Sequence, residues 1–176
     1  DIAYTAAKEL IINGTKANLK RIIFRKMNLN PHNEADYNTG MDFFRQNLTE
    51  QKIRGYRNSF RESNLPVTVT LYYSPNVLNI KVKNHFPLLP IEEKRIREKF
   101  SNTTSFANLF DFFMEYGDHT EGAGLGITMV GILLDQSGID KHAFTLYSSL
   151  KYNETIAKLE IPLIEDYVSK RHKFDI

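Results

Sequence analysis

The segment that most restricts how this chain can fold is Glu121-Gly122-Ala123-Gly124-Leu125-Gly126-Ile127, where three glycines fall within five positions and an apolar run, Thr128 to Leu134, follows at once. Glycines this closely spaced let backbone N–H groups approach and cradle an anion, and a helix beginning there adds its positive end to the same place. The pattern predicts a phosphate-sized site at a loop-to-helix junction, with a plain turn as the other reading. Two phosphate motifs are excluded. The dinucleotide fingerprint needs a buried strand entering the glycines, whereas Glu115-Tyr116-Gly117-Asp118-His119-Thr120 is polar and turn-like. The P-loop ends in Gly-Lys-Ser/Thr, which this chain lacks.

A chain of 176 residues that is 41% apolar can bury one substantial core, and the simplest organisation is a single domain over residues 1–176. Basic and acidic residues balance at 23 and 21, spread along the length, so neither nucleic acid nor an anionic membrane is indicated as a partner. Cysteine is absent, which removes disulfides and thiolate metal sites, and the five histidines have no ligand-like spacing. Leu125 to Leu134 is far shorter than the roughly 20 residues that span a bilayer. A cytoplasmic setting is expected. Residue 1 already sits within a helical repeat, so the chain reads as a fragment of a longer polypeptide.

From Asp1 to about Met27, Ala3, Ala6, Ala7, Leu10, Gly14 and Ala17 recur with helical period on one face, predicting a long amphipathic helix. Asn28 to Asn38 reads as a loop, and Met41 to about Arg61 as helix in two pieces broken at Asn47-Leu48-Thr49. Pro66 to Tyr73 and Val77 to Lys83 alternate as a hairpin around Ser74-Pro75-Asn76. Ile91 to Phe100 predicts a surface helix, Phe106 to Met114 a second, and Leu125 to Gln136 a helix ended by Ser137-Gly138. Ala143 to Tyr152 and Thr155 to Leu163 predict a closing hairpin with Asn153 in its turn, and Ser169 to Ile176 a frayed basic end. The expected class is α+β, one mixed or antiparallel sheet with helices on one face as a two-layer sandwich.

On the first helix Glu9, Asn13, Lys16 and Lys20 follow one another at spacings of four, three and four, a narrow polar stripe beside the apolar face. A carboxylate can orient or deprotonate water, an amide oxygen can complete a Mg²⁺ shell, and an ammonium can meet phosphate oxygens. A solvated helix face with a Glu–Lys pair is the bland alternative.

Glu9-Leu10-Ile11-Ile12-Asn13-Gly14-Thr15-Lys16-Ala17 resembles the N-box of the GHKL superfamily, the ATP-binding fold shared by histidine kinases and gyrase, and Gly122-Ala123-Gly124-Leu125-Gly126-Ile127 resembles its G2 box. The continuation is similar too, with a helix through Val130 to Leu134, a turn at Ser137-Gly138 and a hairpin ending in Ile161-Pro162, closest to the histidine-kinase branch. The resemblance implies a Bergerat-type fold that binds ATP and Mg²⁺ and passes a phosphoryl group to a protein residue outside this chain, in a phosphoacceptor or regulatory domain upstream. It implies Glu9 as the catalytic carboxylate, Asn13 as the Mg²⁺ ligand, Lys16 on the phosphates, Gly122, Gly124, Leu125 and Gly126 as the phosphate loop, and residues 102–120 as an ATP lid.

Two departures qualify that expectation. The family's G1 box, Asp-x-Gly-x-Gly, carries an Asp that accepts from the adenine amino group, and here the place reads Asn84-His85-Phe86-Pro87-Leu88. Asn84 can still accept through its amide oxygen but brings two donors that need partners, so adenine recognition is expected to be weakened, altered or lost. The second is a helical insertion over residues 28–64, expected to pack onto the core through Met41, Phe43, Phe44, Leu48 and Ile53 or else to present them to a partner. The competing expectation is a non-catalytic regulatory or interaction module that keeps the fold with weak or no nucleotide binding; an unrelated α+β domain with both motifs by coincidence is the third.

Overall fold

Helix α1, Ile2–Lys26, is 25 residues long, about 37 Å at 1.5 Å per residue, and the rest of the molecule is arranged around it. The computed structural model describes residues 2–101 and 126–170. After α1 come α2 (Glu34–Gln46), α3 (Glu50–Gly55), α4 (Arg57–Glu62), β1 (Val67–Tyr73), β2 (Val77–Asn84), α5 (Pro90–Ser101), α6 (Gly126–Gln136), a 3₁₀ turn at Lys141–Ala143, β3 (Phe144–Ser149) and β4 (Glu154–Pro162).

The four described strands form an open sheet in the order β1-β2-β4-β3, every neighbouring pair antiparallel. The chain is therefore α+β, and of the mixed or antiparallel sheets expected, the described residues form the antiparallel one. Each hairpin brings one strand to the centre, where β2 pairs with β4 in the register Ile80↔Leu159 and Val82↔Ala157. Because side chains alternate across a strand, Ile80, Val82 and Leu159 share one face with Phe144, and α1 and α6 cover that face through Ala6, Leu10, Val130 and Leu134. A second cluster lies at the far end of α1, where Leu19, Ile23 and Phe24 pack against Tyr37, Met41, Phe44 and Leu48 of the insertion.

Helices α1 and α6, which pack on each other, stop by the same device. At the end of α1, Asn28 takes φ 52°, its N–H reaches Arg25 O at 3.2 Å, and Leu29 N–H reaches Phe24 O at 2.9 Å. At the end of α6, Gly138 takes φ 65°, with Gly138 N–H on Asp135 O at 3.0 Å and Ile139 N–H on Leu134 O at 2.9 Å. These paired bonds satisfy carbonyls that would otherwise be orphaned, and the left-handed residue is tolerable as Asn or Gly.

Four expectations need correction. The loop expected to Asn38 ends earlier, because Asn33 caps α2 by accepting from Asp36 N–H at 3.0 Å; the Asn-rich composition marked a helix start, not a continued loop. The helix after Asn47 divides again at Tyr56, giving α3 and α4. Helix α1 has no single apolar face: Ala6, Leu10 and Gly14 meet the sheet side, while Leu19, Ile22, Ile23 and Phe24 are buried farther along, so both sides of the helix are used. The end expected to fray at Ser169 is pinned as far as Lys170, whose N–H donates to Glu160 at 3.1 Å, and Ser169 is buried. In the insertion Met41, Phe44 and Leu48 are buried and Ile53 packs against them, whereas Phe43 faces out. The expected helix at Phe106–Met114 and the 102–120 lid lie outside the described residues.

Candidate functional site

The stripe expected on α1 is helical throughout, so Glu9, Asn13, Lys16 and Lys20 stand along one side of it. Glu9 and Lys16 are half-buried and form no ion pair or hydrogen bond with any described residue. Asn13 is more unusual. Its Nδ2 is fully buried and has no partner among the described residues. A buried amide without a partner loses its hydration and gains nothing in return, a cost of about 1–3 kcal/mol, so this is the atom on the stripe most in need of a ligand. Lys20 has left the stripe chemically: it forms an ion pair with Glu92 of α5.

That ion pair belongs to a second constellation beside the first. Arg21 Nη1 donates to Glu92 Oε1 at 2.9 Å and Nη2 to Oε2 at 2.6 Å, a bidentate pair, while Nη2 also reaches Pro87 O at 3.3 Å. The guanidinium lies 4.7 Å from the centre of the Phe86 ring, which is buried. Glu92 Oε2 further accepts from Leu89 N–H at 2.9 Å, the reach of an N3 glutamate back to its N-cap. Burial would raise the Glu92 carboxyl, yet the bonds and charges of Arg21 and Lys20 more than offset it and hold it at about 2. Pro90 as first helical residue with Glu two positions later was the sequence signal for this helix start; nothing in the sequence said that α1 would supply both cations.

Asn84 ends β2 and is buried against α1. Its two amide hydrogens are both used, on Gly14 O at 2.9 Å and on Asn18 Oδ1 at 2.7 Å, and Asn18 Nδ2 in turn donates to Leu65 O. The carbonyls of Gly14 and Leu65 fix both amides: each can present only an N–H to them, which leaves Asn18 Oδ1 to face Asn84. Gly14 makes the approach possible, since a Cβ there would meet Val67 and Val82 methyls at 3.2 and 3.3 Å and Asn84 Oδ1 at 3.4 Å. Asn84 Oδ1 remains without a hydrogen-bond donor among the described residues. Arg21, whose guanidinium meets the Phe86 ring, follows Asn13 by eight residues, about 12 Å along α1.

The phosphate loop at Gly122, Gly124 and Leu125 lies outside the described residues, and Gly126 opens α6. α6 packs directly on α1, through Val130 and Leu134 against Ala6 and Leu10. The helix that follows the glycines and the helix that carries Asn13 are thus neighbours. No helix among the described residues is long and apolar enough to cross a membrane.

No family model matches the chain, and no solved structure matches it. Over 154 residues it is 30% identical to a protein of Treponema pallidum (strain Nichols) described as uncharacterized, a match covering 88% of this chain and 29% of that protein. The chain thus spans under a third of that relative's length, and the relative's description carries no activity to compare.

Proposed function

We propose that this chain is a nucleotide-binding domain of GHKL type, closest to histidine kinases, that holds Mg-ATP between α1 and the segment before α6 and supports phosphoryl transfer to a protein residue elsewhere. The observation that carries this reading is the orphaned Asn13 amide, buried on the helix that packs against the one following the glycines. Neither end of that amide has a hydrogen bond to lose, so turning it to present Oδ1 costs none, and an amide oxygen suits Mg²⁺. Bound Mg²⁺ would neutralise charge on the phosphates, with Lys16 free to meet their oxygens and Glu9 free to accept a proton. Gly122, Gly124, Leu125 and Gly126 would supply backbone N–H groups, and Asn84 Oδ1 is the acceptor left for an exocyclic amine. A Bergerat-type arrangement accommodates the four-stranded antiparallel sheet and the helix order.

Titration of ATP by calorimetry with and without Mg²⁺ tests the proposal. Micromolar binding that is lost in Asn13→Ala and Gly124→Val and kept in Glu9→Ala is expected. Failure of ATP, ADP and GTP to bind at millimolar concentration would end it.

One observation favours a second reading, a regulatory or interaction module without turnover. Asn84 spends its donors on α1, and Phe86, where the family keeps glycine, is buried beneath Arg21. Weak or no nucleotide binding, with neither hydrolysis nor phosphoryl transfer, is the outcome that reading requires.

A further inference from the structure

The face of the sheet turned away from α1 and α6 carries a row that is costly as it stands. The register places Thr70, Lys81, Lys158 and Thr145 side by side across all four strands, so the two lysines of the central strands are direct cross-strand neighbours. Like charges directly opposite each other on neighbouring strands destabilise a sheet. Lys158 has a counter-ion in Glu160, two residues along the same face. Lys81 is half-buried and has no acidic or hydrogen-bonding partner among the described residues.

Thr70, Lys81 and Lys158 of this row line a groove of about 490 Å³. One wall is Thr70 and Tyr72 of β1, the floor is Asn79, Lys81 and Lys158, and the other wall is the strap after β4, bearing Tyr167, Val168 and Lys170. The strap is held in place by Glu160, which is almost wholly buried and accepts from Lys158, from Tyr167 Oη at 2.6 Å and from Lys170 N–H at 3.1 Å. Glu160 therefore divides its charge between Lys158 and the wall, and among the described residues no carboxylate lines the groove. The ammonium groups of Lys81 and Lys170, the Lys158 ammonium already paired with Glu160, the hydroxyls of Thr70 and Tyr72 and the Asn79 amide surround a space of ligand size.

We propose that this groove binds a small phosphomonoester, its dianionic phosphate between Lys81, Lys158 and Lys170 and its organic part against Tyr72 and Tyr167. A dianion rather than a single carboxylate matches the charge, because Lys81 and Lys170 each lack a counter-ion among the described residues, while Lys158 beside them already has Glu160. The volume exceeds what a bare phosphate fills, which leaves room for a ring beside the two tyrosines. The site is on the opposite face of the sheet from Asn13, so it is independent of the nucleotide reading.

Nuclear magnetic resonance titration of the chain with inorganic phosphate and with phenyl phosphate, against chloride at matched ionic strength, tests it. Saturable shifts confined to amides of residues 70–72, 79–82, 157–159 and 167–170 are expected, with phenyl phosphate binding at least several-fold more tightly than phosphate. Lys81→Met should weaken phenyl phosphate about tenfold while keeping or raising the melting temperature of the free protein, since it removes the cross-strand repulsion. Lys170→Ala, on the strap and outside the sheet, should weaken it without touching the strands, and Asn13→Ala should leave it unchanged. Shifts that chloride reproduces, or that disappear in Asn13→Ala, would overturn the proposal. Sedimentation with phosphatidic acid vesicles without binding of soluble phenyl phosphate would overturn the assignment to a small ligand.

Discussion

Position 84 shows how closely one buried amide is wired into the fold. An Asp there would aim a carboxylate at Gly14 O and Asn18 Oδ1, two acceptors that now receive the Asn84 amide hydrogens. Reorienting Asn18 would not help, because its own Nδ2 is committed to Leu65 O. Asn84→Asp, although it introduces the residue that the proposed GHKL reading would have there, is therefore expected to lower stability by roughly 2–4 kcal/mol, the cost of unpaired buried polar groups and a partly desolvated charge. Urea unfolding measures this, and the loss should shrink in mild acid, where the carboxyl takes up a proton and can donate once. An Asp variant as stable as the parent that also binds ATP more tightly would show that Asn84 is only a weakened adenine contact. The sequence made the two surplus donors visible but not their destinations, since the partners lie 70 and 66 residues away on α1.

Between elements, the join of α1 to α5 depends on one carboxylate. Glu92 is ordinarily near 4.5 and lies at about 2 in the folded chain, so its contribution is complete above about 4.5 and is lost as pH falls toward 2. A separation of about 2.5, at 1.36 kcal/mol for each, makes this worth on the order of 3 kcal/mol. Stability measured by urea midpoints should fall across that acid range, and Glu92→Gln should flatten this limb while costing about 3–5 kcal/mol at neutral pH, because Arg21 and Lys20 would be left without their counter-charge. Helix packing gives a second test. A Cβ on Gly40 would lie 2.4 Å from Phe24 Cζ, whereas one on Gly55 meets nothing within 4 Å. Alanine in place of helical glycine gains about 1 kcal/mol in propensity, so Gly55→Ala should stabilise by up to that amount. At Gly40 the displaced ring costs about 1–3 kcal/mol, which outweighs the gain, and Gly40→Ala should lower the thermal midpoint. Gly40 was not legible as a packing residue, because a glycine amid polar α2 residues looks the same whether it faces solvent or a ring.

Over the whole molecule, period and turn chemistry carried most of the architecture. Both hairpins, their turns at Ser74-Pro75-Asn76 and Asn153, the long first helix and the helix stop at Gly138 follow from residues a few positions apart, and the structure has each of them. What local pattern could not say is that α1 serves two cores, because Leu19, Ile23 and Phe24 are buried against what residues 29–60 fold into, together with Leu89. The same limit applies to the candidate site: the Glu9, Asn13 and Lys16 stripe was legible from spacing, while the Lys20–Glu92–Arg21 cluster and the lysine row on the outer face needed strand register and helix placement. The two-core arrangement has a dynamic consequence. The insertion is tied to the remainder through the C-terminal half of α1, through Leu89 and through the Asn18 bond to Leu65 O, while the sheet cluster closes without it. α2 to α4 should therefore open as a unit below the global unfolding free energy. In hydrogen exchange, amides of 34–62 are expected to exchange faster than those of β2 and β4. Phe44→Ala, a loss of about 3–5 kcal/mol from a buried phenyl, should accelerate the first set while leaving the second near parental rates. Equal acceleration in β2 and β4 would instead mean that α1 transmits the damage along its length and that the two cores unfold as one.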